Sequence, residues 1–199
     1  MKKERLSAFT DAVLAIIMTI LVLELKKPSE LTLEGFWELR VSFFAYALSF
    51  FWLGSTWISM HSIWDTVERV SRPVLWWSLV FLFFASFMPY ATGLVSNHFD
   101  NRLAQAFYGI VVIATTGCNW VLNKVIDPPN SDNKALLETT KAYRRLLLPD
   151  LLIKGVALVL SLTVCPPVMM YGVLLAAGYC QLAKAVLLKN RKRRPPQAL

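Results

Sequence analysis

The side chains able to do chemistry in this 199-residue chain are few, and most of them interrupt apolar runs. Asp11 lies near the start of the first run, six positions after Arg5, and between Ala12 and Leu25 only Thr19 and Glu24 are polar. A carboxylate at the centre of a membrane helix costs about 2.5–3.5 kcal/mol, less towards an end, so Asp11 must find a donor. Trp57 and His61, four positions apart, share one helix face. Both can donate, and Arg5 can add charge from the interface. Two chemistries are open to this set: a polar staple between helices, or a proton relay through Asp11 and His61. His61 and Asp65 have i, i+4 spacing, but a metal site needs more ligands, and no nucleophile stands beside them. No metal and no cofactor are implied. His98 and Asp100 share a polar turn, two groups with which to sense pH. Lys154 lies about as deep as Asp11 and Lys184 nearer a span's end, where long side chains snorkel.

These residues must be positioned by membrane helices. Hydrophobic residues make up 56% of the chain, above the roughly 45–50% of soluble domains. They fall into six blocks of about the length that crosses a hydrocarbon core roughly 30 Å thick: residues 6–25, 36–61, 73–94, 103–125, 146–164 and 168–188, followed by a basic tail, 189–199. The fold class is therefore all-α, one polytopic domain without an internal repeat of the first block. That block is too long and too acidic at its start for a signal peptide. Pro73 opens the third block, Trp76 and Trp77 lie at interface depth, Pro89 predicts a kink and Pro149 a bend. Cys118, Cys165 and Cys180 are scattered in apolar surroundings and read as free thiols.

The net charge of +8 reflects loop topology rather than nucleic-acid binding, since no fold remains to host such a function. With six spans, Lys2, Lys3, Arg5, Arg69, Arg72, Lys124, Lys134, Lys141, Arg144, Arg145 and the tail residues Lys189, Arg191, Lys192, Arg193 and Arg194 share one side, against Lys26, Lys27 and Arg102 on the other. That asymmetry places both termini in the cytoplasm, with the tail near anionic lipid headgroups. At about 100° per residue, Ile16, Ile20 and Leu23 form a narrow stripe on the first helix with Thr19 at its edge. Asp11 points nearly the opposite way, so one face meets helices of its own subunit and the other meets something else.

The opening Arg-x-x-x-Phe-(Ser/Thr)-Asp, here Arg5, Phe9, Thr10 and Asp11, resembles the signature of the transmembrane protein 175 potassium channels of prokaryotes and lysosomes, with Thr10 in place of the usual serine. Trp57 and His61 match the Trp-x-x-x-His end of that family's second helix, and Leu79 to Thr92, with Met88-Pro89-Tyr90, is similar to its third; Ser78 stands where an asparagine is expected. The resemblance implies a homotetramer whose first helices line a pore for K+. Constrictions five, eight to nine and twelve positions after the aspartate would fall on Ile16, Thr19 with Ile20, and Leu23. It also implies that Arg5, Asp11, Trp57 and His61 hold the pore helix in place. Rings of isoleucine and leucine gate by dewetting, and with no Thr-Val-Gly-Tyr-Gly filter, selectivity for K+ over Na+ should be moderate. Glu24, near the outer mouth, would attract cations or serve as an interfacial carboxylate. The expected location is the bacterial plasma membrane. A proton-coupled small-ion transporter using Asp11 and His61 is the rival within transport, weakened by the absence of broken helices and an inverted repeat. A membrane enzyme built on His61, Asp65 and His98 fails because the two histidines fall on opposite sides.

Overall fold

The computed structural model describes the backbone of residues 2–193 and the side chains of residues 2–186, so the side chains of the basic tail lie outside the described residues. Those described residues fold into helices and contain no β-strand. Six helical segments are long and apolar enough to cross a membrane.

The first segment is α1 (Lys3–Ile20), which tightens into a 3-10 turn over Leu21–Glu24. A short α2 (Leu33–Glu38) follows, its first turn capped by Thr32, whose Oγ1 accepts from the Gly35 N–H at 3.1 Å. The chain breaks at Leu39, and α3 (Arg40–Trp64) makes the second crossing, starting later and ending later than the apolar block suggests. The third crossing is interrupted. Between α4 (Arg72–Ser86) and α5 (Met88–Asn97) the helix kinks at Phe87, whose backbone stays in the helical region, because Pro89 lacks an N–H and its ring crowds the carbonyl four residues back. The fourth crossing, α6 (Arg102–Val125), is capped by the Asn101 carboxamide, which accepts from Leu103 and Ala104. The fifth, α7 (Lys134–Thr163), is continuous through Pro149, joining the mixed-charge segment before it to the apolar block. A turn through Pro166 and Pro167 leads into α8 (Val168–Arg193).

The helix α6 is the hub, touching α4, α5, α7 and α8, while α1 packs on α3, α4 and α5. Lipid tails give no hydrophobic drive between helices, so close fit and polar links must hold them. Close fit is visible at Gly172 of α8, where an added Cβ would strike the Ala157 methyl of α7. Polar links are visible where Thr92 of α5 donates to Ser49 of α3 at 2.8 Å, and Ser49 in turn meets the Tyr108 hydroxyl of α6 at 3.2 Å. Other buried hydroxyls donate back to their own helix, as Thr10 does to Leu6, Ser78 to Val74 and Thr115 to Val111. At the end of the bundle near the N-terminus, Asn130 locks two loops together. Its Oδ1 accepts from the backbone N–H groups of Glu68 and Arg69, while its Nδ2 donates to the carbonyls of Arg69 and Ile126.

Candidate functional site

Two faces of α1 carry the residues singled out from the sequence. The inward face, Leu6, Thr10, Leu14, Ile17 and Leu21, is buried. These positions recur every three or four residues, as one side of a helix does. The opposite side has no covering among the described residues. Ile16 is 57% exposed and Leu23 76%, with Ile20 and Phe9 exposed in line with them and Thr19 exposed at the edge. The 3-10 turn sharpens this stripe: at three residues per turn Leu23 stacks directly beyond Ile20, where an α-helix would set it about 60° off. Thr19 donates its hydroxyl proton to the Ile16 carbonyl at 2.8 Å. Its oxygen lone pairs are thus the part of that exposed side chain left for a ligand, and they suit a cation.

Asp11 sits on the flank towards α3. Its Oδ1 accepts from the Trp57 indole Nε1–H at 2.8 Å. His61 stacks on the Trp57 ring with centroids 5.6 Å apart and turns its Nε2 to Asp65 Oδ2 at 3.8 Å. The three residues expected around Asp11 are therefore brought together only in part. Trp57 is the donor, His61 acts on Trp57 from behind, and Arg5 makes no side-chain hydrogen bond among the described residues. A relay from Asp11 to His61 lacks the bond it would need. Ser78, bonded to its own helix, takes no part. Glu24 is half-buried with its carboxylate against Gly93 of α5, where an added Cβ would collide with it. It leans on the bundle rather than standing in the exposed stripe. No group of three or more metal-ligating side chains occurs among the described residues.

Both deep lysines depart from the expectation of snorkelling. Lys154 is 1% exposed, and its ammonium meets Asp150 Oδ2 at 2.5 Å and Thr116 Oγ1 at 3.0 Å. The Trp52 ring lies 5.2 Å away on a further side. Asp150 also accepts from the Cys180 thiol at 3.6 Å. Lys184 turns inward too, donating to Ser59 Oγ at 2.5 Å and lying over the Tyr143 ring. Asp150 was missed from sequence, yet its signal was there: it precedes Lys154 by four residues, the favoured order for an ion pair along a helix.

The chain resembles known proteins in sequence and in fold. The sequence model of the family described as endosomal/lysosomal potassium channel TMEM175 matches residues 5–89, which hold α1, the stripe, Asp11, Trp57 and His61. A potassium channel of Chryseobacterium sp. (strain P1-3) is 38% identical over 138 residues, 69% of this chain and 72% of the relative. A potassium channel of Streptomyces collinus (strain DSM 40733 / Tue 365) is 30% identical over 118 residues, 55% of this chain and 57% of that one. In fold, the chain superimposes on the crystal structure of a lysosomal potassium-selective channel TMEM175 homolog from Chamaesiphon minutus with a TM-score of 0.64, at 24% identity, covering 94% of this chain and 97% of the other. The chain is a multi-pass membrane protein that belongs to the TMEM175 family.

Proposed function

We propose that this chain is one of four identical subunits of a potassium-permeable cation channel in the bacterial plasma membrane, with its six spans acting as a single domain and α1 of each subunit lining the pore. The observation that carries the reading is the bare stripe of α1, because it opposes the face buried in the subunit and holds Ile16, Ile20 and Leu23 in one line with Thr19 at its edge. Relatives bearing the potassium channel name support the permeant ion. Four copies of the stripe around an axis would give apolar rings at Ile16, Ile20 and Leu23, which close a narrow pore by excluding water. Between them a ring of Thr19 oxygens would replace part of a cation's hydration shell. A few hydroxyl oxygens discriminate K+ from Na+ less sharply than stacked carbonyl rings do, hence moderate selectivity. Asp11 and Trp57 set the rotation of α1 so that the stripe faces the axis. Both termini are cytoplasmic on this reading, since the basic residues still crowd their side when Arg40, at the first turn of α3, is added to the poorer side.

Flux into liposomes holding the purified protein, with K+ and Na+ compared and Ile20→Asn alongside, tests it. Potassium-preferring flux that rises in the variant, as a hydrophilic ring keeps the constriction wet, is the expected result. No flux in either protein would overturn the channel reading.

A further inference from the structure

Between α3, α6, α7 and α8 lies a cavity of about 40 Å³ that the pore does not use. It has room for about three waters, at roughly 10–15 Å³ each. The charges on its walls do not balance: Lys154 and Lys184 contribute two ammonium groups, and Asp150 is the one carboxylate. Asp150 is committed to Lys154 at 2.5 Å and to the Cys180 thiol. Lys184 is left with neutral partners among the described residues, a serine hydroxyl and a tyrosine ring. An uncompensated cation inside a membrane helix bundle is costly and calls for a partner.

A second feature points the same way. Asn119 also lines the cavity, and it is 94% buried, being 6% exposed. Its Oδ1 accepts from Asn123 Nδ2 at 3.1 Å, while its own Nδ2 has no hydrogen-bond acceptor among the described residues. Ser59 gives its proton to the Ser55 carbonyl, and Ser55 and Thr56 give theirs to the Trp52 carbonyl. The cavity thus presents spare N–H donors, a surplus positive charge and little volume.

We propose that this cavity is a binding site for one small monovalent anion of the chloride class, held by the free donors of Lys184 and Asn119. The anion brings the cavity to charge balance and supplies the acceptor that Asn119 lacks. Its spherical shape fits a space too small for a solvated oxyanion such as phosphate. The site is separate from the channel reading and does not depend on it.

The test is thermal unfolding of the purified chain in detergent, at fixed sodium and ionic strength, as gluconate is replaced by chloride or bromide. The expected result is a saturating rise in apparent Tm, reaching about 5–11 °C at a hundredfold excess over Kd, and its loss in Lys184→Gln. Anomalous scattering from crystals of the unaltered protein grown in bromide should place one peak beside Asn119 and Lys184, a readout independent of any variant. Equal melting in gluconate and chloride without a bromide peak overturns the proposal. So does a halide effect that survives in Lys184→Gln, or stabilisation by phosphate but not chloride. Absence of ion flux would leave the binding result untouched.

Discussion

Removing the ammonium of Lys154 while keeping most of its stem, as Lys154→Met does, isolates the most deeply buried charge in the bundle. In the native chain Asp150 has two partners, the Lys154 ammonium at 2.5 Å and the weakly donating Cys180 thiol at 3.6 Å. After the substitution only the thiol remains, while Thr116 keeps its own bond to the Val112 carbonyl and loses little. The penalty is therefore that of a buried carboxylate stripped of its cation, about 3–5 kcal/mol. For a chain of this length that corresponds to a fall in apparent Tm of about 6–20 °C. The double variant Asp150→Leu/Lys154→Met should recover most of the loss, because exchanging both ions for apolar side chains is often neutral or stabilising. Tryptophan fluorescence followed on heating in one detergent at one heating rate measures all the variants together. A double-mutant cycle then gives the coupling, expected to exceed about 2 kcal/mol. If Lys154→Met melts with the native chain, or the double variant is as unstable as the single, the two charges are not coupled as their burial requires.

Further outcomes follow from the staple and from the loop lock. Trp57→Phe removes the 2.8 Å bond to Asp11 and should cost about 0.6–1.7 kcal/mol, the range of polar links between membrane helices. His61→Ala should cost less, since His61 reaches Asp11 only through the Trp57 ring; melting curves showing the reverse order would contradict the geometry. Asn130→Ala leaves the Glu68 and Arg69 N–H groups without their acceptor and should cost about 2–3 kcal/mol. Asn130→Asp keeps that acceptor and should fall between, with limited proteolysis near residue 68 following the same order.

How much of this was legible in the sequence differs by residue. The six crossings were readable because lipid demands long apolar runs, and nothing else in the chain competes for that explanation. The stripe of Ile16, Ile20 and Leu23 was readable because a helix in lipid has no polar face to blur its periodicity. The ends were less readable. Thr32 caps a short helix separate from the next crossing, where the apolar block runs the two together, while Pro89 kinks the third crossing at Phe87 as its ring requires. The partners of polar residues were the least readable. Whether Trp57 or His61 takes the Asp11 carboxylate depends on the rotation of α3, which spacing alone leaves open. The depth of Lys154 alone is compatible with snorkelling, yet Asp150 one turn earlier offers a nearer counter-charge. A lysine stem turns to whichever is cheaper, and a carboxylate at 2.5 Å inside the bundle wins over a climb to water.

The helix α3 joins the two polar sites. Trp52, Ser55, Thr56 and Ser59, spaced as one helical face, line the cavity, while Trp57 points roughly 150° away, towards α1. One rigid element therefore has its register set from both sides. On the far side four helices meet at charged and hydroxyl groups whose disruption would cost several kcal/mol. On the near side α1 is held by one indole–carboxylate bond, by an exposed bond from the Lys3 ammonium to the Asp65 carbonyl, and by the fit of Leu14, Ile17 and Leu21, and that fit is pure packing, since lipid tails receive the same methyl groups equally well. The weaker attachment is on the helix that the channel reading makes the gate. A pore-lining helix tied to its neighbours by buried charged groups, as α7 is tied through Lys154 to Thr116 of α6 and through Asp150 to Cys180 of α8, could not change its rotation at a thermally accessible cost. One bound by a link of about 1 kcal/mol can, while the bundle behind α3 stays fixed.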